Sequence, residues 1–400
     1  MNDMQAQSPT TNRRILAIDI LRGMTVCGMI LVNNPGSWSH IYAPLRHAQW
    51  NGLTPTDLVF PFFMFIMGLS MYISLGRYDY RPSAAAWKKI VRRTVGIYLV
   101  GIFVGWFSRF CRYWVGADPD VDFLTRLWEA CNNFSSMRIT GVLARLAVCY
   151  GISSALILCL RPRQLKMLIV LLLVGYGILL LTCDGYVYGP ENLLGRVDLA
   201  VLTDAHMYHD NGIDPEGLLS TLPAIAHVLI GFLVGRMLFR KHDGVRPAPS
   251  SPAFPLTELF VVGALLTFSG LLLDYGLPIN KKVWSPTFVL ATCGLASTLL
   301  GLLIYVIDIR GYKRWSRFFE VFGVNPLFLY ALSGVLGILL GCIRVPMGEG
   351  TMSLHGIVYS KCLVPVLGDT AGSLAYALLF ILLNWSIGYI LYRRHIYIKL

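Results

Sequence analysis

Asn33, His47 and Asp57 fall where one long apolar run ends and the next begins, in a stretch reading Asn33-Asn34-Pro35-Gly36, then His47-Ala48-Gln49-Trp50-Asn51-Gly52, then Asp57-Leu58-Val59-Phe60-Pro61. Ionisable and strongly polar groups at membrane depth are expensive, so a functional site is the default hypothesis for them. A neutral imidazole near a carboxylate can take the proton of an amine or hydroxyl nucleophile; the same histidine could instead be a structural group hydrogen-bonded at the headgroup level. The Asn33 amide can donate to the oxyanion that develops in acyl transfer, or serve as an ordinary turn residue ahead of Asn34-Pro35-Gly36. Asp57, about ten residues after His47 at the start of the second span, is a carboxylate near it in sequence, and it also suits the N-cap region of the following helix. Trp50 and Asn51 share the loop and are candidate substrate contacts.

Three further residues could contribute charge. Glu216, in Asp214-Pro215-Glu216-Gly217 at the mouth of a later apolar run, can receive a sugar hydroxyl or ammonium, or cap that helix. Arg138 and Arg145 lie two helical turns apart, which would place them on one helix face, either as ligand-binding cations or as members of a structural ion pair. The nine cysteines are scattered, with no CxxC pair and no metal-ligand spacing, so they read as free thiols and no metal is expected.

The elements that must position these groups are membrane helices. Of 400 residues 55% are hydrophobic and 14% charged, with the apolar residues in runs long enough to cross a bilayer. The pattern predicts an all-α polytopic protein of ten spans, near 15–35, 58–76, 90–108, 138–160, 166–183, 218–239, 257–275, 286–308, 318–343 and 371–392. Lys and Arg collect before the first span, after the last, and in alternate loops, while the opposite loops hold the acids. By the positive-inside rule both termini are cytoplasmic and the His47 loop is external. Segment 353–368, apolar but short and broken by Pro365, reads as an external or re-entrant element. The net charge of +12 is explained by this asymmetry and by lipid headgroups, and needs no nucleic acid. Residues 1–14 read as a disordered cytoplasmic terminus and 15–400 as a single membrane domain, with a Pro/Ser-rich stretch in 241–255 as a linker between two helix bundles.

The stretch from Arg22-Gly23 through Asn33, His47-Ala48-Gln49-Trp50-Asn51-Gly52-Leu53-Thr54, Asp57-Leu58-Val59-Phe60-Pro61 and Phe65-Ile66-Met67-Gly68 resembles the heparan-α-glucosaminide N-acetyltransferase family, with bacterial relatives. Further similarity follows in the same order: Met137 to Leu146, Asp214 to Leu219, Pro278-Ile279-Asn280-Lys281-Lys282-Val283-Trp284-Ser285, and Tyr389 to Arg394. The resemblance implies a transmembrane acyltransferase fold that takes an acetyl group from cytosolic acetyl-CoA to an amino sugar across a bacterial inner membrane, as a homodimer. It aligns His47 with the catalytic histidine and Asn33 with the supporting asparagine. CoA phosphates need cations, for which Arg92 and Arg93, with Lys88 and Lys89, lie at the cytoplasmic start of the third span, and Arg138 and Arg145 lie deeper. The large luminal domain of the lysosomal relatives has no counterpart here, which points to a bacterial glucosamine derivative in place of heparan. Direct transfer and an acetyl-histidine route both fit these residues. The rival class is an amino-sugar transporter, against which stands the lack of a visibly duplicated half.

Overall fold

The computed structural model describes residues 15–118, 120–208, 210–240, 247–251, 254–348 and 350–398. The expected disordered terminus 1–14 and much of the expected linker 241–255 lie outside them. The chain is an all-α polytopic membrane protein: among the described residues nine helices are long and apolar enough to cross a membrane, or ten if one sharply bent pair counts as a span.

The spanning helices are α1 (Leu16–Asn33), α2 (Val59–Leu75) and α3 (Ala84–Gly116), followed after a short α4 (Phe123–Cys131) by α5 (Val142–Cys159) and α6 (Pro162–Thr182). A short α7 (Leu193–Leu202) precedes α8 (Thr221–Leu238), α9 (Leu256–Leu273) and α10 (Pro286–Leu303), the last extended by a π-helical turn, Ile304–Ile309. Then come α11 (Arg317–Val324), α12 (Pro326–Cys342) and an antiparallel hairpin of β1 (Arg344–Met347) and β2 (Gly350–Ser353). The chain closes with the short α13 (Leu354–Gly356) and α14 (Val364–Leu367), and the long α15 (Asp369–Arg393).

Nine of the ten expected spans coincide with these helices, but 318–343 does not form one straight helix. It is α11 and α12, bent by 88°. Pro326 has no N–H with which to continue a helix and pushes the residue before it out of the helical region. Asn325 accordingly sits at φ −125°, ψ 55°. Its side chain then holds the end of the chain, donating to the Ile396 carbonyl and accepting from the Ile398 amide, each at 2.8 Å. Residues Leu354–Leu367 are helical but below spanning length.

The α2–α8 crossing does most to position the site. A Cβ at Gly68 would stand 2.0 Å from the Val228 carbonyl oxygen, and one at Gly231 2.2 Å from that of Phe65. Only glycine permits this backbone approach, the small-residue packing that lets membrane helices associate without a hydrophobic driving force between them. It fixes α2, and with it the turn carrying Asp57. By contrast α3 and α9 leave Val95, Leu99, Phe103, Leu265, Phe268 and Leu272 exposed, a surface that lipid tails cover.

Candidate functional site

The loop between α1 and α2 is built by caps and turns whose polar groups are nearly all spoken for. Asn34 closes α1 by donating from its side chain to the Ile30 carbonyl at 2.9 Å. The turn role is therefore taken by Asn34, and the side-chain amide of the exposed Asn33 makes no hydrogen bond among the described residues. Thr54 begins a 3-10 turn, Pro55–Leu58, as the first half of a capping box whose other half is Asp57. One carboxylate oxygen of Asp57, Oδ2, accepts from the Thr54 amide and hydroxyl and from the Ala48 amide, at 3.1, 2.9 and 3.1 Å. The other, Oδ1, lies 2.6 Å from His47 Nδ1. Asp57 is thus both the cap and the histidine's partner.

This geometry orients the imidazole. With Nδ1–H donating to the carboxylate, the lone pair of Nε2 is left free as a base. The Asp57 side chain is 1% exposed and that of His47 44%, so the orienting carboxylate is buried and the imidazole reachable.

A third group was not anticipated. Lys281 Nζ approaches His47 Nδ1 at 2.9 Å and Nε2 at 3.4 Å, and Asp57 Oδ1 at 3.4 Å. Burial moves the Lys281 ammonium below the ordinary lysine value, against the opposing pull of Asp57 and Glu216. The α9–α10 loop that presents it is tied to the His47 loop by an amide pair, Asn280 Nδ2 donating to Asn51 Oδ1 at 3.1 Å, and by the Gly52 amide on the Ile279 carbonyl at 2.8 Å. Trp50 anchors the loop on the other side: its indole donates to the Tyr186 carbonyl at 3.0 Å and its ring stacks on Tyr188 at 4.7 Å between centroids. Lys281 stands at the same end of the bundle as Arg46, Arg126, Arg138 and Arg196, so its charge alone does not single it out in the sequence.

Arg138, expected on the same helix face as Arg145, lies in the loop ahead of α5, so their spacing does not put them on one face. Its guanidinium binds Asp214 through two nitrogens and reaches Glu216 at 2.6 Å. Burial pushes the Asp214 carboxyl up, but the Arg138 fork and the Thr140 hydroxyl outweigh it and hold the group below the usual carboxylate range. Glu216 pairs with Arg138 and does not cap α8, whose N-cap is Ser220. Arg145 is buried and donates to the Gly217 carbonyl at 2.9 Å and to Ser220, with its plane 5.2 Å from the Trp284 ring. At the other end of α3, Arg92 is exposed, whereas Arg93 packs 4.8 Å over the Tyr150 ring.

A cavity of about 620 Å³ opens beside these groups, walled by the small residues Gly101, Gly105, Gly334 and Gly337 of α3 and α12 and by Asn33, Arg138, Thr140, Tyr330, His355 and Tyr376. His47 is not among its lining residues. The two halves meet through Glu216, which is bonded to cavity-lining Arg138 and near enough to Lys281 to act on its charge. His355 and Tyr376, which sequence reasoning passed over, close the cavity with edge-to-face rings at 4.5 Å between centroids. No group of three or more His, Cys, Asp or Glu side chains placed to hold a metal occurs among the described residues.

A family model described as heparan-alpha-glucosaminide N-acetyltransferase, catalytic, matches residues 14–268, well over half of the chain. The chain belongs to this family. The matched region contains Asn33, His47, Asp57, Arg138 and Glu216, and stops before Lys281 and α12. Two curated relatives, each named heparan-alpha-glucosaminide N-acetyltransferase, are 26% identical to it: the Homo sapiens protein over 373 residues, covering 79% of this chain and 52% of its own length, and the Mus musculus protein over 383 residues, covering 82% and 55%. The chain spans about half the length of the curated relatives it matches.

Proposed function

We propose that this chain is a multi-pass acetyltransferase of a bacterial cytoplasmic membrane, carrying an acetyl group from cytosolic acetyl-CoA to the amine of a glucosamine-type sugar at the external face. The observation that carries this reading is the His47–Asp57 pair at 2.6 Å, with the carboxylate buried and the imidazole accessible, in a chain of this family.

The amino sugar arrives as an ammonium, which is not nucleophilic. His47 Nε2 removes its proton, Asp57 stabilises the imidazolium that results, and the amine nitrogen attacks the thioester carbonyl. The oxyanion accepts from the Asn33 amide, whose donors are uncommitted. Collapse of the tetrahedral intermediate breaks the C–S bond, the nitrogen's remaining extra proton passes to the thiolate, the N-acetyl sugar leaves, and His47 releases its proton to water. The carboxylate of Glu216, already within reach of two cations, offers the acceptor a hydroxyl or ammonium contact, with Trp50 and Asn51 shaping the loop around it.

The residues present suit an acyl thioester arm. The cavity between α3 and α12 is large enough for a pantetheine-sized chain, carries neutral donors and acceptors, and includes no carboxylate in its lining. Exposed Lys88 and Arg92 at the opposite end of α3 are the cations available to the nucleotide phosphates.

The test is transfer of radiolabelled acetyl from acetyl-CoA to glucosamine by the detergent-solubilised protein. Product from the wild type, lost in His47→Ala and reduced in Asn33→Ala, supports the assignment; equal product from His47→Ala removes it.

A further inference from the structure

We infer that Lys281 is a self-acetylation site: without an acceptor sugar, its ε-amine takes the acetyl group itself. This rests on the acetyl-transfer reading above and adds to it a modification of the chain. The amine of any acceptor must come within hydrogen-bonding distance of the free imidazole nitrogen before it can lose its proton. Lys281 Nζ is already there, 3.4 Å from His47 Nε2 and 2.9 Å from Nδ1. It is chemically the same class of nucleophile as glucosamine, a primary amine on a saturated carbon.

Placement is what separates Lys281 from the other lysines. A reactive group held beside the base gains the advantage of an intramolecular reaction over one that must diffuse to it. Its neighbour Lys282 provides an internal control. That side chain is turned away to Asp210 at 2.7 Å, 4.6 Å over the Tyr188 ring, and has no contact with His47 among the described residues. Burial also favours the neutral amine of Lys281, the nucleophilic form.

The step balances without another reactant. The Lys281 ammonium loses one proton to His47, its nitrogen forms a bond to the thioester carbonyl carbon, and the C–S bond breaks. As that bond breaks, the nitrogen's second proton passes to the thiolate, leaving Nζ-acetyl-lysine, CoA thiol and a protonated His47 that gives its proton to water. An acceptor sugar entering the site displaces Lys281 from His47 and so protects it. Once acetylated, Lys281 has lost its ammonium and its ion pair with Asp57.

Wild type, His47→Gln and His47→Ala proteins are incubated with acetyl-CoA, with and without glucosamine, and acetyl occupancy at Lys281 and Lys282 is read by peptide mass spectrometry. Sugar acetylation is followed in parallel. The expected result is one added acetyl group at Lys281, forming more than about tenfold faster than at Lys282, suppressed by glucosamine and lost in both His47 variants. Glucosamine acetylation with Lys281 no more modified than Lys282, or Lys281 modification unchanged in both His47 variants, overturns the inference while leaving the enzyme reading intact. Acetylation of neither glucosamine nor Lys281 overturns both.

Discussion

The two oxygens of the Asp57 carboxylate have different partners: Oδ1 takes His47 Nδ1 at 2.6 Å, and Oδ2 takes Thr54 and Ala48. A single buried side chain therefore both starts the second spanning segment and orients the His47 imidazole. Asp57→Asn keeps the size but removes the charge that supports an imidazolium. Activity should fall by about 10²–10⁴-fold, in the range of a general-base contribution. Stability should fall by about 1 kcal/mol, the worth of a cap. Initial rates and thermal unfolding in detergent check the two effects separately, and a variant that loses stability but not rate would mean that the pair is only a cap.

Arg138 stands between two carboxylates, and the two should respond differently. Arg138→Ala strands the buried Asp214 without its partner, at a cost of about 3–5 kcal/mol. Arg138→Lys should recover only part of this, because an ammonium cannot reproduce the fork. Glu216→Gln leaves the Arg138–Asp214 pair in place, so its unfolding temperature should stay near wild type while the KM for the amino sugar rises by about tenfold, the loss of one charge-assisted contact. A raised KM for acetyl-CoA instead would move Glu216 to the donor side.

The Asn51–Asn280 contact joins the His47 loop to the Lys281 loop; Asn51→Ala removes that bond alone, whereas Asn280→Ala also removes the acceptor of the Val283 amide at 3.1 Å. Asn51→Ala and Asn280→Ala are each expected to lower kcat more than they raise KM. The double variant should cost no more than Asn280→Ala alone, because that variant already removes the shared bond. Additive losses in a double-mutant cycle would show that the two side chains act independently.

Much of this was legible in the sequence, because hydropathy and charge bias report directly on what a bilayer permits. Nine of ten spans, and the loop carrying Asn33, His47 and Asp57, could be read from apolar run length and from polar residues at a span boundary. The bend at Asn325 was not. Its cause, Pro326, is visible, but prolines are tolerated in spanning helices when neighbours re-satisfy the backbone, so the residue alone does not announce an 88° break. The cavity and Lys281 were hidden for another reason. Both arise from elements far apart in the chain, α3 with α12 and the α1–α2 loop with the α9–α10 loop, and no local pattern encodes such meetings.

Asp198 offers a pH-dependent signature outside the spanning helices. It is buried on α7, accepts from the Leu218 amide at 2.8 Å, and burial raises its carboxyl to about 6. The folded protein then holds this proton more tightly than the unfolded chain, so stability is highest at low pH and declines as pH rises from the unfolded value toward about 6, levelling off above it. Asp198→Asn should flatten that decline and stabilise the protein near neutrality by on the order of 1–3 kcal/mol. Unfolding temperatures of the two proteins across this window decide it, and parallel curves would show that the carboxyl is not the source.

On the mechanism proposed, the acetyl group crosses the membrane to an amine activated by His47. Proteoliposomes holding radiolabelled acetyl-CoA inside, with glucosamine added outside, test this. Labelled N-acetylglucosamine is expected in the outer solution, falling by about 10²-fold or more in His47→Ala and by a comparable factor in Asn33→Ala. Labelled product that persists in His47→Ala, or vesicles that accumulate glucosamine without acetylating it, would contradict it.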